Sequence, residues 1–115
     1  VNAAGAVTLT AITASGNGNE LASIVQQDGI DLTHVRAPGG PIVLRDCRVN
    51  DNRDDGLDLG PLGAVSVEFC ELRGNGVDGL DTVALPGNLN GGVSIVDVDA
   101  ILNGDDGYDV DTAGN

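Results

Sequence analysis

A chain of 115 residues with net charge −13, no tryptophan and no methionine is one domain or a piece of one. Eighteen acids against five basic residues, all arginine, exclude a phosphate-binding nucleic-acid surface, which needs the opposite sign. No run approaches the roughly 18 apolar residues of a membrane span. Apolar residues make up 41% of the chain, with Phe69 the only Phe and Tyr108 the only Tyr. The core must therefore be aliphatic, which suits a narrow, layered interior.

Taken in order, the chain is four copies of one pattern. The first copy carries Val7, Leu9, Ile12, Ala14 and Asn17. An insertion, "ELASIVQQ", then precedes Asp28-Gly29-Ile30-Asp31. After the connection "THVRAPGGP" the second copy runs "IVLRDCRVNDNRDDGLDL", from Ile42 to Leu59. The third, "VSVEFCELRGNGVDGLDT" from Val65 to Thr82, aligns with it without a gap at an offset of 23 residues. Cys47 meets Cys70, Asn52 meets Asn75, and Asp55-Gly56-Leu57-Asp58 meets Asp78-Gly79-Leu80-Asp81. After the longer connection "VALPGNLNGG" the fourth copy places Val93, Ile95, Val98, Ala100, Asn103 and Asp106-Gly107-Tyr108-Asp109 on the same columns.

Within each copy the apolar residues alternate in bursts of about three residues, separated by turn formers. Ile42 with Leu44, Cys47 with Val49, and Leu57 with Leu59 are the bursts of the second copy. None is long enough for a helix or an independent hairpin. Three short strands per copy with one inward face predict a triangular coil, and successive coils pair in parallel about 4.8 Å apart. The coils are predicted at 5–40, 41–63, 64–91 and 92–115, a single all-β domain or segment.

The pattern V-x-V-x-x-x-x-L-x-x-N-x-x-D-G-L-D resembles the repeat of the right-handed parallel β-helix in the pectate-lyase-like superfamily, over essentially the whole chain. The resemblance implies the fold. It leaves function open, because that repeat serves lyases, hydrolases, epimerases, adhesins and fibres. Enzymes of this kind build a saccharide groove on more coils and set a lysine or arginine beside calcium-binding acids. This chain has no lysine, and its four coils would rise about 19 Å. No catalytic residues are expected. The alternative is a fragment of a calcium-dependent polysaccharide-active enzyme or a carbohydrate-binding module.

Each polar column has a structural and a functional reading. Asn17, Asn52, Asn75 and Asn103 are predicted to form an amide ladder at one corner. Asp31, Asp58, Asp81 and Asp109 are predicted on one outer face, and Asp28, Asp55, Asp78 and Asp106 at the adjoining corner. Carboxylates about 5 Å apart repel by about 1 kcal/mol per pair even in water. Either a cation offsets that repulsion, or turn amides and solvent do. The candidate calcium ligands are Asp54, Asp55, Asp58, Asp78, Asp81, Asp105, Asp106 and Asp109, with Asp54-Asp55 and Asp105-Asp106 the best local pairs.

Cys47 and Cys70 share one inward column, where a disulfide and a pair of buried apolar thiols both fit. His34, the only histidine, is expected to be a solvated loop residue. Cross-strand pairs are expected for Arg45 with Glu68 and for Arg48 with Glu71.

Neither end reads as a cap, and the chain starts without Met or a signal peptide, as a mature product or excised fragment would. The expectation is an extracellular or cell-surface structural solenoid, a fibre, surface-layer or adhesin component. It would stack head to tail on copies of itself or on flanking coils of a longer chain. Calcium is the expected cofactor and polysaccharide a further partner, with no nucleic acid and no membrane insertion.

Overall fold

The computed structural model describes residues 6–18, 27–32, 41–59, 64–82 and 92–110. Twelve strands follow in chain order: β1 Val7–Thr10, β2 Thr13–Ser15, β3 Ile30–Asp31, β4 Ile42–Arg45, β5 Arg48–Asn50 and β6 Leu57–Leu59. The second half adds β7 Val65–Glu68, β8 Glu71–Arg73, β9 Leu80–Thr82, β10 Val93–Val96, β11 Asp99–Ile101 and β12 Tyr108–Val110. They form three four-stranded sheets, β1-β4-β7-β10, β2-β5-β8-β11 and β3-β6-β9-β12. Every pairing is parallel. One strand of each sheet comes from each copy, so each copy is one coil of a four-coil parallel β-helix. The described residues contain no helix.

The register is the one the sequence offsets require. Ile42 lies opposite Val7 and Val65, Val49 opposite Ala14 and Leu72, and Leu57 opposite Ile30 and Leu80. Alternation along each strand turns these residues inward. In the two middle coils they are sealed: Ile42, Leu44, Val49, Leu57, Leu59, Val67, Leu72 and Leu80 are fully buried. In the end coils the matching Leu9, Ala14, Ile30, Val93, Ile95, Val98 and Ala100 are only partly buried.

Two corners repeat with the same backbone. Ala11, Asp46, Phe69 and Asp97 follow the first strand of their coils with φ of 48–56°, in the left-handed region. Asp51 and Leu102 do the same after the second strand, where the other two coils have Gly16 and Gly74. Each non-glycine residue in that region carries a cost of about 1 kcal/mol. Inter-coil pairing offsets it, because the turn aims each amide at the next coil: Asp46 N donates to Glu68 O at 3.1 Å and Phe69 N to Val96 O at 2.9 Å.

The asparagine ladder forms as expected. Asn17 Nδ2 donates to Asn52 Oδ1, Asn52 Nδ2 to Asn75 Oδ1, and Asn75 Nδ2 to Asn103 Oδ1, at 3.0–3.1 Å. Each rung also takes the backbone amide of the asparagine before it, as Asn75 Oδ1 takes Asn52 N at 3.2 Å. Its nitrogen reaches back to a strand carbonyl, as Asn75 Nδ2 does to Val49 O at 3.1 Å. This crowding explains the glycine that follows the corner aspartate in the first three coils. A Cβ on Gly56 would lie 2.6 Å from Asn75 Nδ2 and from Gly79 O, and one on Gly79 would meet Asn103 Nδ2 and Gly107 O almost as closely.

Cys47 and Cys70 are free, buried thiols. Cys47 N donates to Cys70 Sγ at 3.4 Å, and each thiol donates to the carbonyl two residues earlier, Arg45 O or Glu68 O. Burial pushes Cys70 up to about 11, with the Cys47 sulfur adding to the effect. Of the two expected ion pairs, Arg45–Glu68 forms, with Nε to Oε2 at 2.9 Å. Arg48 and Glu71 lie in register, but Glu71 accepts from Asn50 Nδ2 instead. Asn50 is the diagonal neighbour of Glu71, two residues along β5 from Arg48. His34 and most of the three long connections lie outside the described residues.

Two substitutions test these contacts by thermal or urea unfolding. Asn75→Ala should cost about 2–4 kcal/mol, since it strands buried amides and carbonyls on both neighbouring coils. Gly79→Ala should cost about 1–3 kcal/mol by overpacking the same corner.

Candidate metal centre

The corner aspartates have a defined backbone role. Asp55 N donates to Asp28 Oδ1 at 3.2 Å, Asp78 N to Asp55 Oδ1 at 2.9 Å, and Asp106 N to Asp78 Oδ1 at 2.8 Å. Each carboxylate therefore spends one oxygen on the coil above and keeps the other. Asp55 and Asp78 are buried. The asparagine ladder, one corner segment away, runs with the opposite polarity, each amide side chain donating to the oxygen of the coil above.

Where the retained oxygens converge, a cation site takes shape. One carboxylate oxygen from each of Asp28, Asp54 and Asp55 lies within 4.8 Å of the other two, and all three residues are partly or fully covered. Oxygens bound to calcium at 2.3–2.6 Å lie at up to about twice that distance from one another, so the three fit around one ion. Asp28 Oδ2 and the neighbouring Gln27 Oε1 are buried and accept no hydrogen bond among the described residues. A hard cation would complete Asp28 in that position.

The electrostatics agree. Burial, then the charges of Asp54, Asp55 and Asp31, push Asp28 up to about 6. Asp55 is raised for the same leading reason. Asp58 is pushed up to about 7, first by burial and then by Asp28, Asp81, Asp31 and Asp55.

The structure sorts the sequence candidates. Asp54 and Asp55 come together, joined by Asp28 from the preceding coil. Asp28 had been placed in the corner column but not among the ligands, because the eight-residue insertion hides its nearness to Asp54. Asp78, Asp105 and Asp106 stand two ladder steps on in equivalent positions, yet they form no such group among the described residues. Asp105 and Asp106 are exposed and turn to solvent. In the third coil Val77 holds the place of Asp54, so no triad arises there. Asp81 and Asp109 lie in register with Asp58 along one sheet, outside the triad. Asp58 departs from the solvated face expected of its column: it is 3% exposed, although alternation turns it away from the interior. Four neighbouring acids share its surroundings, and its carboxyl is correspondingly hard to ionise.

No protein-family model, curated protein or solved structure was found to match the chain.

A carboxyl held above its ordinary value binds its proton more tightly in the folded chain than in the unfolded one. The stability it contributes is present at low pH and lost as pH rises from about 4 through 6 and 7. In chelator, the melting temperature should therefore be higher at pH 5 than at pH 8. Calcium should raise the pH 8 value in wild type and much less in Asp28→Asn or Asp54→Asn.

Proposed function

We propose that the chain is a structural β-solenoid unit of extracellular or cell-surface material, a fibre, surface-layer or adhesin component whose coils continue end to end. Calcium at Asp28, Asp54 and Asp55 would stabilise the first two coils against their own charge. The observation that carries this reading is the contrast between the middle and the ends of the core. Inward residues are sealed in the second and third coils, whereas in the first and fourth most are only partly covered, with Val7 and Leu32 of the first coil the buried exceptions. Burying apolar surface contributes about 25 cal/mol per Å², so both end faces gain by meeting another coil.

The two faces are also complementary in polarity. The fourth coil presents the amides of Asn103 and the oxygens of Asp106 as the last described rungs of their ladders. The first coil presents the oxygen of Asn17 and the amide of Asp28. Contact between unlike faces is heterologous and propagates into an open filament. The acidic side walls fit a salty or calcium-rich exterior, where like-charged filaments stay apart until a divalent cation joins them.

Electron microscopy and sedimentation of the purified chain, with calcium and then with chelator, test the proposal. Filaments with an axial subunit rise near 19 Å are expected, weakened by chelation. Monodisperse particles of one chain in both conditions, at all concentrations reached, would overturn it.

A further inference from the structure

Tyr108 breaks the inward column to which it belongs. Its counterparts are Ile30, Leu57 and Leu80, paired in register through the third sheet. Those aliphatic side chains carry no polar group, whereas the Tyr108 hydroxyl donates to Val98 O of its own coil at 2.7 Å. Val98 sits at the corner between β10 and β11, across the coil from β12. The phenol therefore bridges two corners at the face of the fourth coil, with the residue still 40% exposed.

The acceptor it has taken is not an arbitrary carbonyl. Val98 is the fourth-coil counterpart of Ile12, Cys47 and Cys70. Each of those carbonyls accepts a strand amide from the following coil: Arg48 N to Ile12 O at 2.8 Å, Glu71 N to Cys47 O at 2.9 Å, and Asp99 N to Cys70 O at 3.0 Å. The Tyr108 hydroxyl thus stands where the amide of a following coil would stand. Burial, with Asp99 nearby, raises the phenol above its ordinary value, in keeping with a hydroxyl withdrawn from water and used as a donor.

We propose that Tyr108 is a displaceable cap on the fourth-coil face, closed over Val98 O in the single unit and swung aside when the first coil of a second copy docks there. The inference rests on the end-to-end reading above and adds the residue that controls it. In the docked pair the Thr13 amide takes Val98 O, because Thr13 is the first-coil counterpart of Arg48, Glu71 and Asp99. Asn17 Oδ1 then receives the Asn103 amides, and the Asp28 amide meets Asp106 Oδ1, so both ladders continue across the junction. The occupant is a first coil and not a second fourth coil, since two like faces would set donor against donor along the asparagine column and acceptor against acceptor along the aspartate column. The cap raises the concentration at which copies assemble, because one tyrosine hydrogen bond must be given up before the backbone bonds of the junction form.

The test compares wild type with Tyr108→Leu, which restores the residue of the middle coils, and with Tyr108→Phe, which keeps the ring and removes the donor. Thr13→Pro removes the incoming amide on an edge strand, where proline is tolerated. Association is read by analytical ultracentrifugation. Tyrosine emission is read in parallel, because Tyr108 is the only tyrosine and there is no tryptophan. Association should strengthen about tenfold in Tyr108→Leu and by less in Tyr108→Phe, the scale set by one hydrogen bond. It should be lost in Thr13→Pro at unchanged folded circular dichroism. Wild-type emission intensity should change in step with assembled mass. Equal association of wild type and both Tyr108 variants, or emission indifferent to assembly, would overturn the cap and leave end-to-end stacking standing. No association in any variant would overturn the stacking, and the cap with it.

Discussion

Everything in this molecule follows from stacking like on like about 4.8 Å apart. Parallel pairing of matching strands sets each strand residue directly over its counterpart, and three sheets at three orientations prevent any coil from slipping. A slip of one residue in a single sheet would turn its inward leucines and valines to solvent. Between the second and third copies the offset is 23 residues throughout. Length differences among the copies fall between strands, at the corner that carries "ELASIVQQ" and in the connections between coils, and the paired strands keep their register.

The same constraint treats side chains unequally. Stacked aliphatics gain at every level. Stacked asparagines gain too, since an amide both donates and accepts and can pass one bond upward while returning another. Stacked aspartates gain only in part. Each carboxylate can accept the amide of the coil above, but its second oxygen stays charged beside its neighbours. Where Asp54 adds a third carboxylate to Asp28 and Asp55, the repulsion grows, and protonation or a cation would relieve what the backbone amides do not. At the third coil Val77 replaces the extra acid and the problem disappears. The acidic corner is therefore a property of the first two coils, although the column of aspartates runs through all four.

The left-handed corners show how much the inter-coil bonds outweigh local preference. Phe69 and Leu102 are poor occupants of that backbone region, yet both adopt it because the turn is set by the coils above and below. Local propensity predicts a glycine at such positions, and only some coils supply one.

Much was legible in the chain alone. Alternating bursts, recurring Asp-Gly pairs and gapless alignment of the middle copies determined the coil, its three strands, its register and the asparagine ladder. These depend on period, and period is visible in one dimension. The Arg45–Glu68 pair was legible for the same reason. Only the tertiary structure decided what depends on side-chain direction and distance, within a coil and between coils. It brought Asp28 across an insertion to Asp54 and Asp55, buried Asp58 among acids on a nominally outer face, turned Glu71 from Arg48 to Asn50, and laid the Tyr108 hydroxyl on Val98. A column assignment says which residues are neighbours; which oxygen each neighbour presents depends on side-chain torsions and local cover, and these are set by packing in three dimensions.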